Sequence, residues 1–109
     1  MGKCNLWQSY ADITVIYGAM RFKFDSSKSH TAKKRHGVSL HEAQEIFDQA
    51  HLVDQRNDDP AQFRAIGWSC GRLCSVIFEI RRDAVGEYYH LVTAWRATKE
   101  EEQSYAENV

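Results

Sequence analysis

The sequence predicts an α+β domain, and three observations support that prediction. Two segments open with the spacing of a helix capping box, several short segments alternate between polar and apolar residues, and a Gly-containing turn joins two of those segments. The chain has 109 residues with an apolar content of 43%, which suits one domain with a single core and argues against disorder. The predicted order is a strand, two helices, a three-stranded antiparallel meander and a C-terminal helix. We expect the helices to pack on one face of the sheet.

The first half of the chain begins with a predicted strand and helix. Residues 21–24 alternate between polar and apolar side chains, which is typical of a strand with one buried face. Asp25 suits the cap of a short helix that runs to about Arg35, and Gly37 suits the left-handed conformation that ends it. Upstream of this region, residues 13–17 also suit a strand.

A capping box marks the start of the second helix. Ser39 and Glu42 have the spacing at which a serine and a glutamate satisfy free amides reciprocally. Apolar residues follow on one face at helical spacing, namely Ala43, Ile46, Phe47 and Ala50. Residues 53–60 include Asn57, two aspartates and Pro60, so we predict a loop there.

The second half of the sequence contains the predicted meander and the last predicted helix. The three strands are predicted over residues 62–68, 72–81 and 87–95. Gly71 supplies the positive φ that a short hairpin connection needs between the first two. Thr98 and Glu101 have capping-box spacing, so a terminal helix should run to about Glu107.

The charge and cysteine content restrict the class of protein. The formal net charge is -1, yet six basic residues and one acid lie between Arg21 and Arg35, which allows a local basic surface. The three cysteines are too few for a disulfide framework and predict reduced thiols. No metal-ligand spacing occurs, and no apolar run approaches the roughly 20 residues of a membrane span. We therefore expect a cytoplasmic protein without a metal, a cofactor or a membrane partner.

Residues 33–37 are the first candidate site. Lys33, Lys34, Arg35 and His36 cluster at the end of the first helix, where cations interact favourably with the helix dipole. These cations also suit contacts with the phosphates of a nucleic acid. The alternative is a solvated basic helix end with His36 packed against the next helix.

The predicted sheet carries the second candidate site. Arg64 suits a phosphate clamp or a transition-state stabiliser, or else an ordinary surface ion pair. Strict alternation on the last strand puts His90, Val92 and Ala94 on one face, and Tyr89, Leu91, Thr93 and Trp95 on the other. Aromatic residues beside cations suit base stacking, although they more often cover a core.

From about Arg21 to Glu107 the chain resembles the BrnT family, the toxin half of a bacterial type II toxin–antitoxin pair. The residues that carry the resemblance are Phe24-Asp25, Lys28, Lys34-Arg35-His36-Gly37-Val38-Ser39, Glu42-Ala43, Phe47, Arg64-Ala65-Ile66-Gly67, Gly71-Arg72-Leu73, Thr93-Ala94-Trp95-Arg96-Ala97-Thr98, Glu102 and Tyr105. The resemblance implies a RelE-like fold and a metal-independent ribonuclease that inhibits translation. It also implies neutralisation by a cognate antitoxin in a hetero-oligomer that reaches operator DNA only through the antitoxin.

The resemblance assigns roles to particular residues. The implied catalytic residues are His36, Arg64, Thr93 and Arg96. The implied RNA-binding residues are Lys33, Lys34, Arg35, His90 and Trp95. The residues before Met20 look separate from the rest, and Met20 suits a start codon. We therefore expect residues 1–19 to be an N-terminal extension, either non-native or mobile, and residues 20–109 to form the toxin domain.

Four positions depart from the family pattern. The family commonly has asparagine where this chain has Ala32, phenylalanine where it has Leu40, and arginine where it has His90 and Trp95. Two cations are thus replaced by aromatic groups on the predicted active strand. An alternative function follows, which is a catalytically decayed binding module that acts through its antitoxin or as an operon co-repressor.

Overall fold

The computed structural model describes the backbone of residues 12–17 and residues 20–109 in full. Its strands are β1 (Asp12–Tyr17), β2 (Met20–Asp25), β3 (Leu52–Asp58), β4 (Ala61–Ser69), β5 (Arg72–Arg82) and β6 (Glu87–Arg96). Its helices are α1 (Ser26–His36), α2 (Leu40–Ala43), which continues as a 3₁₀ turn over Gln44–Asp48, and α3 (Lys99–Asn108). The six strands form one sheet in the order β1-β2-β6-β5-β4-β3, in which only the β2–β6 pair is parallel among the described strands. The prediction of an α+β domain is confirmed.

Local signals set the three helix starts and the end of α1 where the sequence predicted them. The second helix is shorter than predicted, because it becomes a 3₁₀ turn after Ala43 and ends before Ala50, which is exposed. The Asp25 carboxylate accepts a hydrogen bond from the Ser27 amide at 2.8 Å and starts α1. Gly37 ends this helix with φ 84°, and its amide donates to the Lys33 carbonyl at 3.0 Å. Both predicted capping boxes form, one at the start of α2 and one at the start of α3.

The predicted strand over residues 13–17 and the predicted hairpin are also present. β1 pairs antiparallel with β2. Cys70 and Gly71 join β4 to β5, and both residues have positive φ. This conformation is typical of two-residue hairpin turns, because it matches the right-handed twist of the flanking strands. The other residues of the predicted N-terminal extension, 1–11 and 18–19, lie outside the described part of the chain.

The loop predicted over residues 53–60 is wrong, because most of it is strand β3. The turn is confined to Asp59 and Pro60, and β3 pairs antiparallel with β4 from Leu52 to Asp58. Asn and Asp favour turns, but here they occupy the exposed edge of a sheet, where polar side chains are tolerated. The meander therefore has four strands instead of three.

The main core lies between the sheet and the α1–α2 layer. Its fully buried members include Phe22 and Phe24 of β2, Leu40 of α2 and Leu91 of β6. The 3₁₀ turn adds Ile46, whose side chain lies so close to Gly67 that a Cβ there would sit 2.9 Å from it.

The prediction that all helices share one face of the sheet is wrong, since α3 lies on the opposite face. Phe63 and Ala65 face the core, so Arg64 between them points to the other side. There Arg64 contacts Glu101 of α3. α3 has few apolar residues, so polar contacts and an edge-to-face contact between the Tyr105 and Trp68 rings hold it on the sheet.

The predicted faces of the last strand are wrong, because β6 contains a β-bulge. The register between β5 and β6 shifts between Ile77 and Phe78, which leaves Val92 as an extra residue. As a result Leu91 and Ala94 both join the core, although strict alternation separated them.

The same bulge regroups the candidate residues of β6. His90, Thr93 and Trp95 now share the face opposite the core, whereas alternation had put His90 apart from the other two. Arg96 points to the helical side, beside Gly37.

Candidate functional site

The predicted site residues fall into two regions on opposite sides of the sheet. We call the first the sheet face: the side opposite α1 and α2, which carries Lys23, Gln62, Arg64, Glu79, Arg81, His90, Thr93 and Trp95. We call the second the basic end: Lys33, Lys34, Arg35 and His36 at the end of α1, together with Arg96.

The basic end combines the last turn of α1 with the end of β6. Lys34, Arg35 and His36 are exposed, and their positive charges are favourable at a helix C-terminus. Arg96 joins them because Gly37 has no side chain: a Cβ at residue 37 would lie 2.8 Å from the Arg96 Nε atom. The absence of a side chain at residue 37 thus allows both the left-handed end of α1 and the close approach of the Arg96 guanidinium.

Lys33 is the member of the basic end with a fixed partner. Its ammonium donates to both carboxylate oxygens of Glu42, at 3.0 and 2.9 Å. The Glu42 side chain is buried and also completes the α2 capping box. Lys33 therefore links α1 to α2, and the same charge is less available to an RNA than those of Lys34 and Arg35.

Arg64 lies at the centre of an ion-pair network on the sheet face. Its guanidinium contacts the Asp54 carboxylate through two nitrogens and donates to Glu101 at 3.1 Å. Glu101 also accepts from the Trp95 indole at 3.0 Å and from the Thr98 amide at 2.9 Å. A cleft between β4 and α3 is lined by Arg56, Arg64, Trp95, Thr98, Glu100, Glu101 and Ser104.

Glu101 is an ionised, buried carboxylate. Burial raises its pKa, but the hydrogen bonds from Thr98 and Trp95 and the positive charge of Arg64 outweigh burial, so the pKa lies below its ordinary value. The carboxylate holds α3, β4 and β6 together at one point. No pattern in the sequence pairs Arg64 with a residue 37 positions away, so this contact was missed.

A polar row crosses four strands of the sheet face. Lys23 of β2 is the register partner of His90 of β6, and His90 is in turn the partner of Glu79 of β5. Gln62 of β4 extends the row, because its side-chain amide donates to Glu79 at 2.7 Å. Lys23, Gln62 and Glu79 were not predicted as site residues. Only the pairing of the strands aligns them.

Glu79 is held rigidly within this row. One carboxylate oxygen accepts from Arg81 through two nitrogens, at 2.9 and 2.6 Å, and the other accepts from Gln62. The hydrogen bond from Gln62 lowers the pKa of Glu79 most, with further lowering by Arg81 and His90, against an opposing effect of burial. Glu79 is therefore a fixed negative charge beside His90.

A second cluster lies at the end of the sheet face near the β5–β6 turn. Asp83 accepts from Arg21 at 3.0 and 2.9 Å and from Lys23 at 2.9 Å, and these contacts hold its pKa well below its ordinary range. The Lys23 ammonium also lies 4.3 Å from the centre of the Tyr88 ring. This cluster fixes the position of Lys23 next to His90.

The cysteines do not form a nucleophilic site in the described residues. Burial is the largest cause that raises the pKa of Cys74 to about 11, so its thiol stays protonated at neutral pH. Cys70 is disulfide-bonded, so the prediction of reduced thiols is wrong at that position. Within residues 12–17 and 20–109, no group of three or more His, Cys, Asp or Glu side chains could hold a metal ion.

The fold and these two regions define a small α+β protein with a charged, partly open sheet face. A family model described as "Ribonuclease toxin, BrnT, of type II toxin-antitoxin system" matches residues 24–101. The chain therefore belongs to the BrnT family, and this family implies an antitoxin partner. A comparison with curated proteins found no match. Among the described helices, none is long and apolar enough to cross a membrane.

Proposed function

We propose that this protein is a metal-independent endoribonuclease that inhibits translation by cutting RNA in the cytoplasm, and that a cognate antitoxin neutralises it. The observation that carries the proposal is the match to the ribonuclease toxin family over residues 24–101, which spans both the basic end and most of the sheet face. The RelE-like fold that the sequence resemblance implies stays a prediction. So does a hetero-oligomer with the antitoxin that reaches operator DNA only through that partner.

The charges of the sheet face support cleavage without a metal. Cutting RNA this way requires removal of a 2′-hydroxyl proton, stabilisation of a charged phosphorane and protonation of the leaving oxygen. Arg64 supplies a guanidinium about one-fifth exposed at its side chain, with Thr93 and Trp95 on the same face. We propose that Arg64 stabilises the phosphorane and that Trp95 stacks on a base.

The basic end supports a different role. Lys34, Arg35, His36 and Arg96 lie on the helical side of the sheet, away from Arg64. We propose that they hold the phosphate backbone of the same RNA beyond the cut site. Under this proposal His36 and Arg96 bind RNA and do not act at the scissile phosphate, which revises the roles that the resemblance assigned to them.

A growth experiment and a cleavage experiment together test this function. The full chain is induced in bacteria with and without the product of the neighbouring gene, and the purified chain is incubated with RNA in excess EDTA. We expect growth arrest that the neighbouring product relieves, and RNA cleavage that EDTA does not prevent. Normal growth together with intact RNA would overturn the proposal.

A second function is favoured by two specific observations. Trp95 stands where the family resemblance expects an arginine, and the charge of Arg64 is shared between Asp54 and Glu101. Losing one stabilising donor reduces a rate on the order of a hundredfold or more. The chain would then be a decayed binding module that acts through its antitoxin or as an operon co-repressor.

The substitution Trp95→Arg separates the two functions. For an active toxin, wild type cuts RNA and the variant changes the rate only modestly. For a decayed module, wild type leaves RNA intact, still binds the antitoxin, and the variant gains cleavage. Trp95→Phe is the matched control, because it keeps an aromatic ring and removes the hydrogen bond to Glu101 without adding a cation.

A further inference from the structure

We propose that His90 is the general base of the RNA cleavage reaction and that Glu79 is its positioning residue. This inference rests on the proposed ribonuclease function and specifies the residue that removes the 2′-hydroxyl proton. It differs from the roles above, in which His36 was the implied catalytic histidine and His90 contacted RNA only.

The position of His90 in the sheet carries the inference. His90 lies directly opposite Glu79 of the antiparallel neighbour β5, and directly opposite residues of an antiparallel pair have Cβ atoms about 5 Å apart. On its other side, Lys23 of the parallel neighbour β2 is its register partner. The imidazole is thus flanked by an anion and a cation on the same face as Arg64. Of the described helices, only α3 lies on this face, where it contacts β4 and Trp95.

Glu79 has the properties that a positioning carboxylate needs. It is 9% exposed, and Arg81 and Gln62 fix both of its oxygens, so it cannot turn away from its neighbours. Its pKa lies below the ordinary value, so it remains charged throughout the pH range in which histidines titrate. A fixed carboxylate beside an imidazole orients the ring and stabilises the imidazolium that forms during proton transfer.

The basic end offers no equivalent arrangement for His36. This residue is the last of α1, it is exposed, and it lies on the helical side of the sheet. Among the described residues, no carboxylate forms a hydrogen bond with it. His36 therefore lacks the orienting anion that His90 has.

Neutral His90 takes the proton of the 2′-hydroxyl, and that oxygen forms a bond to the adjacent phosphorus. The bond from phosphorus to the 5′ oxygen breaks, and the leaving oxygen takes a proton from water. The products are a 2′,3′-cyclic phosphate and a 5′-hydroxyl, and the imidazolium returns its proton to the solvent. Arg81, which binds the Glu79 carboxylate, and Arg64 each supply a guanidinium on this face for stabilising the phosphorane.

The test measures cleavage of a random-sequence pool of labelled single-stranded RNA across pH 5 to 8 by full-length variants. His90→Gln removes the proton acceptor, and His90→Arg keeps a positive charge that cannot be deprotonated. We expect both to lower kcat by about a hundredfold to ten-thousandfold and to abolish the acidic limb of the pH–rate profile, with KM changed much less. His30→Gln, on the exposed side of α1, is the matched histidine control and should retain the wild-type profile.

A separate substitution tests the positioning role of Glu79. Glu79→Gln keeps the shape and can still hydrogen-bond, but it loses the negative charge. We expect a lower kcat and an acidic limb shifted to lower pH, because the neutral amide no longer favours the protonated imidazole. A purely structural role would change the melting temperature and leave the position of the limb unchanged.

The outcomes distinguish this inference from the function on which it rests. Wild type that leaves all RNA intact would overturn both. Active wild type with an equally active His90→Gln variant would overturn the general base alone, as would a His90→Arg variant at the wild-type rate. If His90→Gln fails to fold, His90→Ala with added imidazole replaces it, and absence of rescue by imidazole in a folded variant would contradict the inference.

Discussion

The sheet face and the basic end differ in how their charges are held. On the sheet face, Arg64 is bound by Asp54 and Glu101, and Glu79 is bound by Gln62 and Arg81, so each charge has a fixed position. At the basic end, Lys34, Arg35 and His36 are exposed at the end of a helix, and among the described residues of that region only Lys33 forms an ion pair. Fixed charges suit a reaction, because they need no reorganisation in the transition state. Exposed cations suit the sequence-independent binding of a phosphate backbone.

The largest expected effect on stability and on cleavage comes from removing Arg64 from the sheet face. Arg64→Ala leaves Glu101, which is 5% exposed, without its cation, so we expect a loss of about 3 kcal/mol in the free energy of unfolding and loss of RNA cleavage. Urea unfolding and the cleavage assay measure the two effects. Arg56→Ala is the control on the same cleft, and as an exposed residue it should change stability by less than about 0.5 kcal/mol. Equal unfolding midpoints for the two variants would contradict the network described above.

The next effect concerns the glycine at the basic end. Gly37→Ala forces a Cβ into a left-handed conformation, which lowers the free energy of unfolding by about 1–2 kcal/mol. The new Cβ also displaces the flexible Arg96 guanidinium, so RNA affinity should fall.

Gly71→Ala is the matched control for this substitution. Gly71 has a similar φ of 78° and no heavy atom within 4 Å of an added Cβ. We expect a similar loss of stability without a loss of RNA affinity, as measured by urea unfolding and by binding of a labelled RNA. If Gly71→Ala weakens RNA binding as much as Gly37→Ala does, Arg96 has no role in binding.

We expect acid to lower the free energy of unfolding by protonating carboxylates at the sheet face. This loss should be smaller than the loss caused by removing Arg64. The pKa values of Glu79 and Glu101 are lowered on folding, so their stabilisation is fully present above their unfolded pKa of about 4.5 and is lost as the pH falls through the folded values. Urea unfolding between pH 7 and pH 3 should therefore show a decline below about pH 4.5.

The double variant Glu79→Gln/Glu101→Gln identifies the source of that decline. It should be less stable at pH 7 and should depend less on pH than wild type. Glu102→Gln/Glu107→Gln, which changes two exposed residues of α3, should keep the wild-type decline. If Glu102→Gln/Glu107→Gln reduced the decline and Glu79→Gln/Glu101→Gln kept it, the acid sensitivity would come from exposed surface charges.

The smallest effect on stability is expected at the basic end itself. Lys34→Gln/Arg35→Gln should change the free energy of unfolding by less than about 0.5 kcal/mol. It should weaken RNA binding and reduce the slope of log affinity against log salt by about 1.4, or about 0.7 for each lost phosphate contact with a single strand.

A charge-matched control completes that experiment. Lys28→Gln/Lys99→Gln removes two exposed cations elsewhere, in the first turns of α1 and α3. Its salt slope should remain at the wild-type value. An equal reduction in both double variants would indicate that net charge, and not the basic end, sets the affinity for RNA.

Features that depend on neighbours within a few residues could be predicted from the sequence. The Ser39 and Thr98 capping boxes, the Gly37 helix end and the hairpin at Gly71 all rest on local geometry, and each is confirmed. The basic character of the end of α1 follows in the same way from adjacent residues.

The predictions that failed concern contacts between distant segments. The edge strand over Leu52–Asp58 contains turn-favouring residues, and it is a strand because β4 offers it a partner. The bulge at Val92 depends on the register with β5, and it decides which side chains of β6 enter the core.

By itself, the sequence of this protein determined where the helices begin, where α1 ends, which residues are charged, and the family that the chain resembles. Only the tertiary structure decided that α3 lies across the sheet from α1, that Arg64 meets Glu101, and that Lys23, His90, Glu79 and Gln62 form one row. The physical reason is that caps and turns depend on backbone geometry within a few residues. The composition of a sheet face depends instead on strand order and register, which are set by burial of apolar side chains across the whole chain.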